Sequence, residues 1–178
     1  MSDPTAVRLA SEGDLDEVTE VERAAASMYA PYGLTQRLEE TLTAHARLRV
    51  AIEEGLLWVA TEGLHIVGWA LADQRDADMH LEEINVMPSL ARRGVGSALL
   101  EAVEEGGALR GCTRITLVTI DFVPWTLGFY AHHGFRALTK SELSAHLVKD
   151  LWIEGQDFPE HTRSFDGRVA LCRAIRPS

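Results

Sequence analysis

At 178 residues the chain has the length of one domain, enough to bury a sizeable core. Its 46% hydrophobic and 25% charged residues exclude a disordered or fibrous protein, and no apolar run approaches the roughly 20 residues that cross a bilayer. A net charge of −10, from 27 acidic against 17 basic residues, argues against nucleic acid or an anionic membrane as partner and tilts toward a cationic substrate such as an amine.

The start, Met1-Ser-Asp-Pro, lacks the basic-then-apolar pattern of a secretory signal, so a cytoplasmic location is expected. Val7-Arg-Leu-Ala is a short strand. Asp14 offers an N-cap with Glu17 three residues on, and Leu15, Val18, Val21, Ala25 and Met28 follow at helical spacing. A second helix is predicted from Thr35 to Glu54, with Leu38, Leu42 and Val50 inward and Gly55 as its stop. A hairpin follows, Leu56 to Thr61 and Ile66 to Ala72, turning at Glu62-Gly63. Trp58 and Trp69 are expected in its core or at its edge.

The polar stretch Asp73 to Asp78 leads into a third strand, Met79 to Val86, which Pro88 ends. A helix runs from about Gly94 to Leu109, then a strand from Thr113 to Thr119 and a short helix from Trp125 to His133. Ser141 can cap a helix carrying Leu143, Leu147 and Leu151. Gly155 to Phe165 reads as loop, and a last strand lies near Arg168 to Arg173. No repeat or linker divides the chain, so residues 1–178 are taken as one domain. Strands mixed with helices, and an early antiparallel hairpin, predict an α/β or α+β sheet domain.

The segment Leu81-Glu-Glu-Ile-Asn-Val-Met-Pro-Ser-Leu-Ala-Arg-Arg-Gly-Val-Gly-Ser-Ala-Leu-Leu carries the chemistry. It reads as a strand, a tight loop holding two arginines and two glycines, and a helix N-terminus. Glycine lets backbone approach a ligand closely, and the unpaired first-turn N–H groups attract phosphate. Arg92 and Arg93 add cationic donors around Gly94, Val95, Gly96 and Ser97. A Walker loop is excluded by the missing GxxxxGK[ST], and a Rossmann loop by the missing third glycine.

This segment resembles the pyrophosphate-binding motif of the GNAT N-acetyltransferase superfamily, written [Q/R]xxGx[G/A]. Gly94 and Gly96 match it, and Ala91 stands where Gln or Arg is usual. Downstream, Asp121-Phe-Val-Pro-Trp-Thr-Leu-Gly-Phe-Tyr-Ala-His-His-Gly-Phe resembles the segment ending YxxxGF, in the form close to DVPWNxPFY of a bacterial subgroup. Thr126 replaces that subgroup's Asn, and Gly128 its Pro. The tail Gly167-Arg-Val-Ala-Leu is similar to the subgroup's last strand, so the matches span about residues 56 to 174.

The resemblance implies a mixed, mostly antiparallel sheet of about 6–7 strands with splayed central strands, and acetyl-CoA as cosubstrate without a metal. It implies that backbone groups of Ile84, Asn85 and Val86 pair with the pantetheine arm. Val86 N–H is the expected oxyanion donor, and Thr126 bonds the same arm. Tyr130 is expected to give a proton to the leaving thiolate. For the base, Glu82 acting through water is chosen, with His80 and Glu83 as alternatives. Strand alternation puts His80, Glu82, Ile84 and Val86 on one side and Glu83 on the other.

Met28, Tyr29 and Tyr32 form either an aromatic floor for the acceptor or ordinary core. Adjacent His132 and His133 point apart and do not suggest a metal. Cys112 and Cys172 read as buried structural thiols. The function expected is acetyl transfer to a primary amine of a small molecule or peptide. The alternative is a sensor that holds acetyl-CoA without turnover. A homodimer fits the superfamily's habit and the general frequency of symmetric pairs.

Overall fold

A computed structural model describes residues 5–155 and 167–176. The strands are β1 (Ala6–Leu9), β2 (Leu57–Glu62), β3 (His65–Arg75), β4 (Asp78–Val86), β5 (Arg114–Ile120), β6 (Arg136–Ala137) and β7 (Arg168–Ala174). The helices are α1 (Leu15–Ala26), α2 (Thr35–Glu40), α3 (His45–Glu54), α4 (Val95–Leu109), α5 (Pro124–His132) and α6 (Ala145–Gly155). One seven-stranded sheet in the order β1-β2-β3-β4-β5-β7-β6 organises them. Every neighbouring pair is antiparallel except β4–β5.

The apolar spacing of α1 turns Leu15, Val18, Val21 and Ala25 onto the sheet, and Leu48 and Ala51 do the same for α3. The opposite face packs on α4 at very short range. A Cβ on Gly106 would lie 2.5 Å from the buried Trp58 ring, and one on Gly107 would lie 3.2 Å from the Met79 Cβ. Two consecutive glycines therefore let the helix backbone sit directly on Trp58, Met79 and Ile175. Gly106→Ala is expected to lower the unfolding midpoint in thermal or urea denaturation. The overpacking costs about 1–3 kcal/mol, against the roughly 1 kcal/mol that alanine adds to helix propensity.

Several local expectations are corrected. Asp14 stands at the N-cap position of α1, but its carboxylate does not cap the helix. It accepts from Ser11 N–H at 2.7 Å and from both Arg8 terminal nitrogens at 2.8 Å, which holds it well below the usual carboxylate range. Glu17 instead accepts from Ile66 N–H at 2.9 Å, tying α1 to β3. The predicted second helix is two helices. Thr43 N–H and hydroxyl donate to Glu22 at 2.9 and 3.0 Å, a side-chain bond that competes with helical pairing and holds the break open. Val50 consequently faces solvent, 46% exposed.

Strands and turns also shift. The β2–β3 turn falls on Gly63-Leu64, since Glu62 still pairs with His65. Asp73 to Arg75 are strand rather than loop, because Arg75 pairs with Asp78 across a two-residue turn in which Asp76 takes φ 55°. Ser141 caps nothing: it lies inside a single turn opened by Thr139, whose N–H and hydroxyl both donate to Glu142. Ser144 accepts from Leu147 N–H at 3.3 Å in its place, and Leu143 precedes α6. The loop expected after Gly155 lies outside the described residues.

Candidate active site

The central strands part. β4 and β5 pair only through Asp78↔Arg114, Met79↔Ile115 and His80↔Thr116, whereas β5 stays paired to β7 along its whole length. Above His80 the sheet is a fork whose inner edges are unpaired among the described residues. Met87 N–H donates to Val67 O at 2.9 Å. Antiparallel ladders alternate their donors, so Ile84 and Val86 turn their N–H groups away from β3 and into the gap. Asn85 Nδ2 is buried on the same arm without a partner among the described residues. Backbone donors facing an unpaired strand edge suit an extended amide chain, such as pantetheine.

At the open end, the chain passes from β4 through one turn at Pro88–Leu90 to the start of α4. Arg92 (φ 63°) and Gly94 (φ 89°) both take the left-handed conformation, which coils the backbone around the helix N-terminus. The first helical donor to find an intrahelical partner is Ala98 N–H, on Gly94 O at 3.0 Å. The N–H groups of Val95, Gly96 and Ser97 are thus left for a ligand. A Cβ on Gly94 would meet nothing within 4 Å, so the space above the turn is open. Arg92 and Arg93 are exposed, and no ion pair holds either among the described residues. This cradle fits a pyrophosphate.

α5 closes one side. A Cβ on Gly96 would lie 3.3 Å from the Phe129 ring, and Ser97 Oγ lies 3.1 Å from His133 Nε2. Tyr130 is 8% exposed and sits edge-on to Phe129 and Phe135, with centroids 5.2 and 5.5 Å away. Burial, then the neighbouring Tyr29 and Glu83, push its phenol above the ordinary tyrosine value, so it keeps its proton at neutral pH. Thr126 donates to Ile120 O and Val123 O at 3.0 and 2.7 Å, fastening α5 to the end of β5. Its hydroxyl is spent on backbone rather than offered to the gap. Tyr29 meets Trp125 at a tilt of 57° with ring centroids 4.9 Å apart, and Tyr32 packs with it against Leu34, Ile120 and Val123. Met28 is half-buried.

The expected alternation along β4 fails at a β-bulge. Leu71 pairs with Glu83 and Ala72 with Leu81, so Glu82 is an extra residue and the faces exchange beyond it. Val86 therefore joins Met79 on the α4 side, where its Cγ2 lies 3.8 Å from the Cβ position of Gly96. Glu83 and Asn85 join the face of His80. Glu82 itself is gripped by Arg47 through two bonds of 2.9 and 3.1 Å, with Arg75 at 3.7 Å. Glu83 stands close enough to Tyr29 and Tyr130 to raise both phenols.

His80 is 3% exposed at the point where the fork closes. Its Nδ1 lies 3.1 Å from Thr116 Oγ1, and its Nε2 lies 3.6 Å from Asp150 on α6. Burial first, and then the Arg75 charge, push it down to about 4, which leaves it neutral at physiological pH. Arg47, Arg75 and Asp150 escaped sequence reasoning, because their partners lie on other elements and no local spacing announces them. Cys112 and Cys172 are free and buried. No helix of the described residues is long and apolar enough to cross a membrane.

A sheet forked beside an open helix start, with a buried phenol nearby, has the free donors and the space to take an acyl-coenzyme A. Residues 18–135 match the Acetyltransferase (GNAT) family model, and the chain belongs to that family. Thialysine N-epsilon-acetyltransferase of Mus musculus is 28% identical over 87 residues, 46% of this chain and 51% of the mouse protein. The chain thus matches that curated relative over about half the relative's length.

Among solved structures, the fold resembles PaiA N-acetyltransferase from Thermoplasma acidophilum in complex with coenzyme A. The TM-score is 0.73 at 16% identity, covering 96% of this chain and 99% of that one. It also resembles N-acetylglutamate synthase from Neisseria gonorrhoeae, complexed with coenzyme A and N-acetyl-glutamate. There the TM-score is 0.74 at 17% identity, covering 99% of this chain and 36% of that one.

Proposed function

We propose that the chain is an N-acetyltransferase that passes an acetyl group from acetyl-CoA directly to a primary amine. The fork carries this reading: its free strand edge and the open α4 N-terminus suit the two ends of an acyl-coenzyme A. The name of the mouse relative specifies an ε-amine as its acceptor, which supports a primary amine here.

In this mechanism the Arg92–Ser97 turn holds the pyrophosphate, and Ile84 to Val86 align the pantetheine by backbone bonds. Val86 N–H stabilises the oxyanion formed when the neutral amine attacks the thioester carbonyl. As the C–S bond breaks, Tyr130 gives its proton to the thiolate. Glu82 takes the proton released by the amine through a water. Glu83 is a second reading for that base, favoured by its closeness to both tyrosines.

Thiol release with a panel of primary amines tests the activity. Acetyl-CoA-dependent turnover with at least one amine is expected, and binding without turnover on any amine makes the chain a sensor instead. A pH profile of kcat/KM for Glu82→Gln and Glu83→Gln separates the two glutamates. The variant that loses the rising limb carries the base, and two unchanged profiles exclude both.

A further inference from the structure

His133 closes the C-terminus of α5 and reaches the first turn of α4, where its Nε2 lies 3.1 Å from Ser97 Oγ. Its backbone is pinned on both sides. The N–H donates to Phe129 O and Tyr130 O at 3.2 and 3.1 Å, and the carbonyl accepts from Arg173 Nη1 at 3.0 Å. Phe129 supports the ring: it lies edge-on to the imidazole with centroids 4.7 Å apart, and a Cβ on Gly96 would lie 3.3 Å from it. The imidazole is therefore held against Ser97 by contacts from α5 and β7.

A serine hydroxyl has one proton to donate. If Ser97 gives it to His133 Nε2, only lone pairs are left to face the cradle, and they repel a phosphate. If His133 Nε2–H donates to Ser97 Oγ instead, the hydroxyl proton is free for a phosphate oxygen, which can only accept. The first turn already leaves the Ser97 N–H without an intrahelical partner. The second arrangement therefore gives Ser97 two donors for one anion, and a bound pyrophosphate selects it.

Resting on the acetyl-CoA reading above, we propose that His133 is a positioning residue of the pyrophosphate cradle: its Nε2–H holds Ser97 Oγ as acceptor and turns the serine proton onto the ligand. Protonation of the ring fixes the same arrangement, because both imidazole nitrogens then donate, and it adds a positive charge beside the anion. In the free protein, burial first, then His132 and Arg173 of β7, push His133 below the ordinary histidine value, against Glu101 of α4, which raises it. A bound pyrophosphate raises that value. The added affinity is therefore full below the free-state pKa and is lost as pH rises through the bound-state pKa.

Calorimetric titration with acetyl-CoA tests this in the wild-type chain, Ser97→Ala, His133→Ala, the double alanine variant and His133→Gln, between about pH 5 and about pH 8. At the upper pH each single alanine change is expected to weaken binding by about tenfold. The double variant should lose no more than one of them, because both remove one interaction. His133→Gln offers an amide N–H in place of Nε2–H, so it recovers most of the affinity there. It should lack the further, several-fold tightening that the wild type shows at the lower pH. The ligand's 3′-phosphate also titrates, at about 6, but equally for both proteins, so the ratio of their dissociation constants isolates His133. Additive losses in the double variant, or a ratio that stays flat with pH, overturn the proposal and leave His133 a packing residue. No binding of acetyl-CoA to the wild type at any pH overturns the coenzyme A reading itself, and this proposal with it.

Discussion

Tyr130→Phe lowers turnover by roughly 10²–10⁴ and leaves acetyl-CoA affinity unchanged. The size of the effect follows from the proton-donor role proposed for the phenol. A thiolate leaving without a proton is a poor outcome in a site shielded from water, and Tyr130 is buried where water cannot replace it. Its raised pKa keeps the proton available across the neutral range, and the adjacent Glu83 helps to hold it there. Phenylalanine preserves the edge-on packing on Phe129 and Phe135, so fold and cradle persist. Steady-state kinetics on an accepted amine, with calorimetry for acetyl-CoA, make the check. An unchanged kcat removes Tyr130 from the chemistry and leaves it a packing residue.

Gly94→Asp weakens acetyl-CoA binding by about a hundredfold or more, because two separate costs fall on one position. The residue takes φ 89°, so any side chain strains the turn by about 1–3 kcal/mol. The carboxylate also brings a negative charge to the helix start that has to receive a pyrophosphate. No protein atom lies within 4 Å of the added Cβ, so the penalty arises from strain and charge rather than from a clash within the chain. Gly94→Asn carries the same strain without the charge, and calorimetric titration of both variants separates the two. Affinity retained in Gly94→Asp would mean that phosphate binds elsewhere.

The strands around the fork were legible because each signal is local. Alternating apolar runs mark β2 to β5, and Gly55 and Pro88 end their elements where the sequence places them. The turn into α4 was legible because Gly94 and Gly96 act through backbone geometry, which their own positions reveal. What escaped depends on partners far along the chain. The bulge at Glu82 leaves no composition signal, yet it moves Val86 to the α4 face and brings Glu83 toward the tyrosines. Thr126, expected at the pantetheine arm, donates to Ile120 O and Val123 O, bonds that no local spacing announces. The break between α2 and α3 depends on Glu22, 21 residues from Thr43. Arg75 meets Asp150 across 75 residues, a pairing that only the folded sheet creates.

Calorimetric titration with acetyl-CoA, with ATP and NAD as comparisons, tests most directly whether the fork and its cradle bind an acyl-coenzyme A. Micromolar binding, about −8 kcal/mol, confined to acetyl-CoA and coenzyme A is the predicted result. Equal affinity for ATP or NAD, or no binding to acetyl-CoA, would contradict the assignment of the fork as an acyl-coenzyme A site.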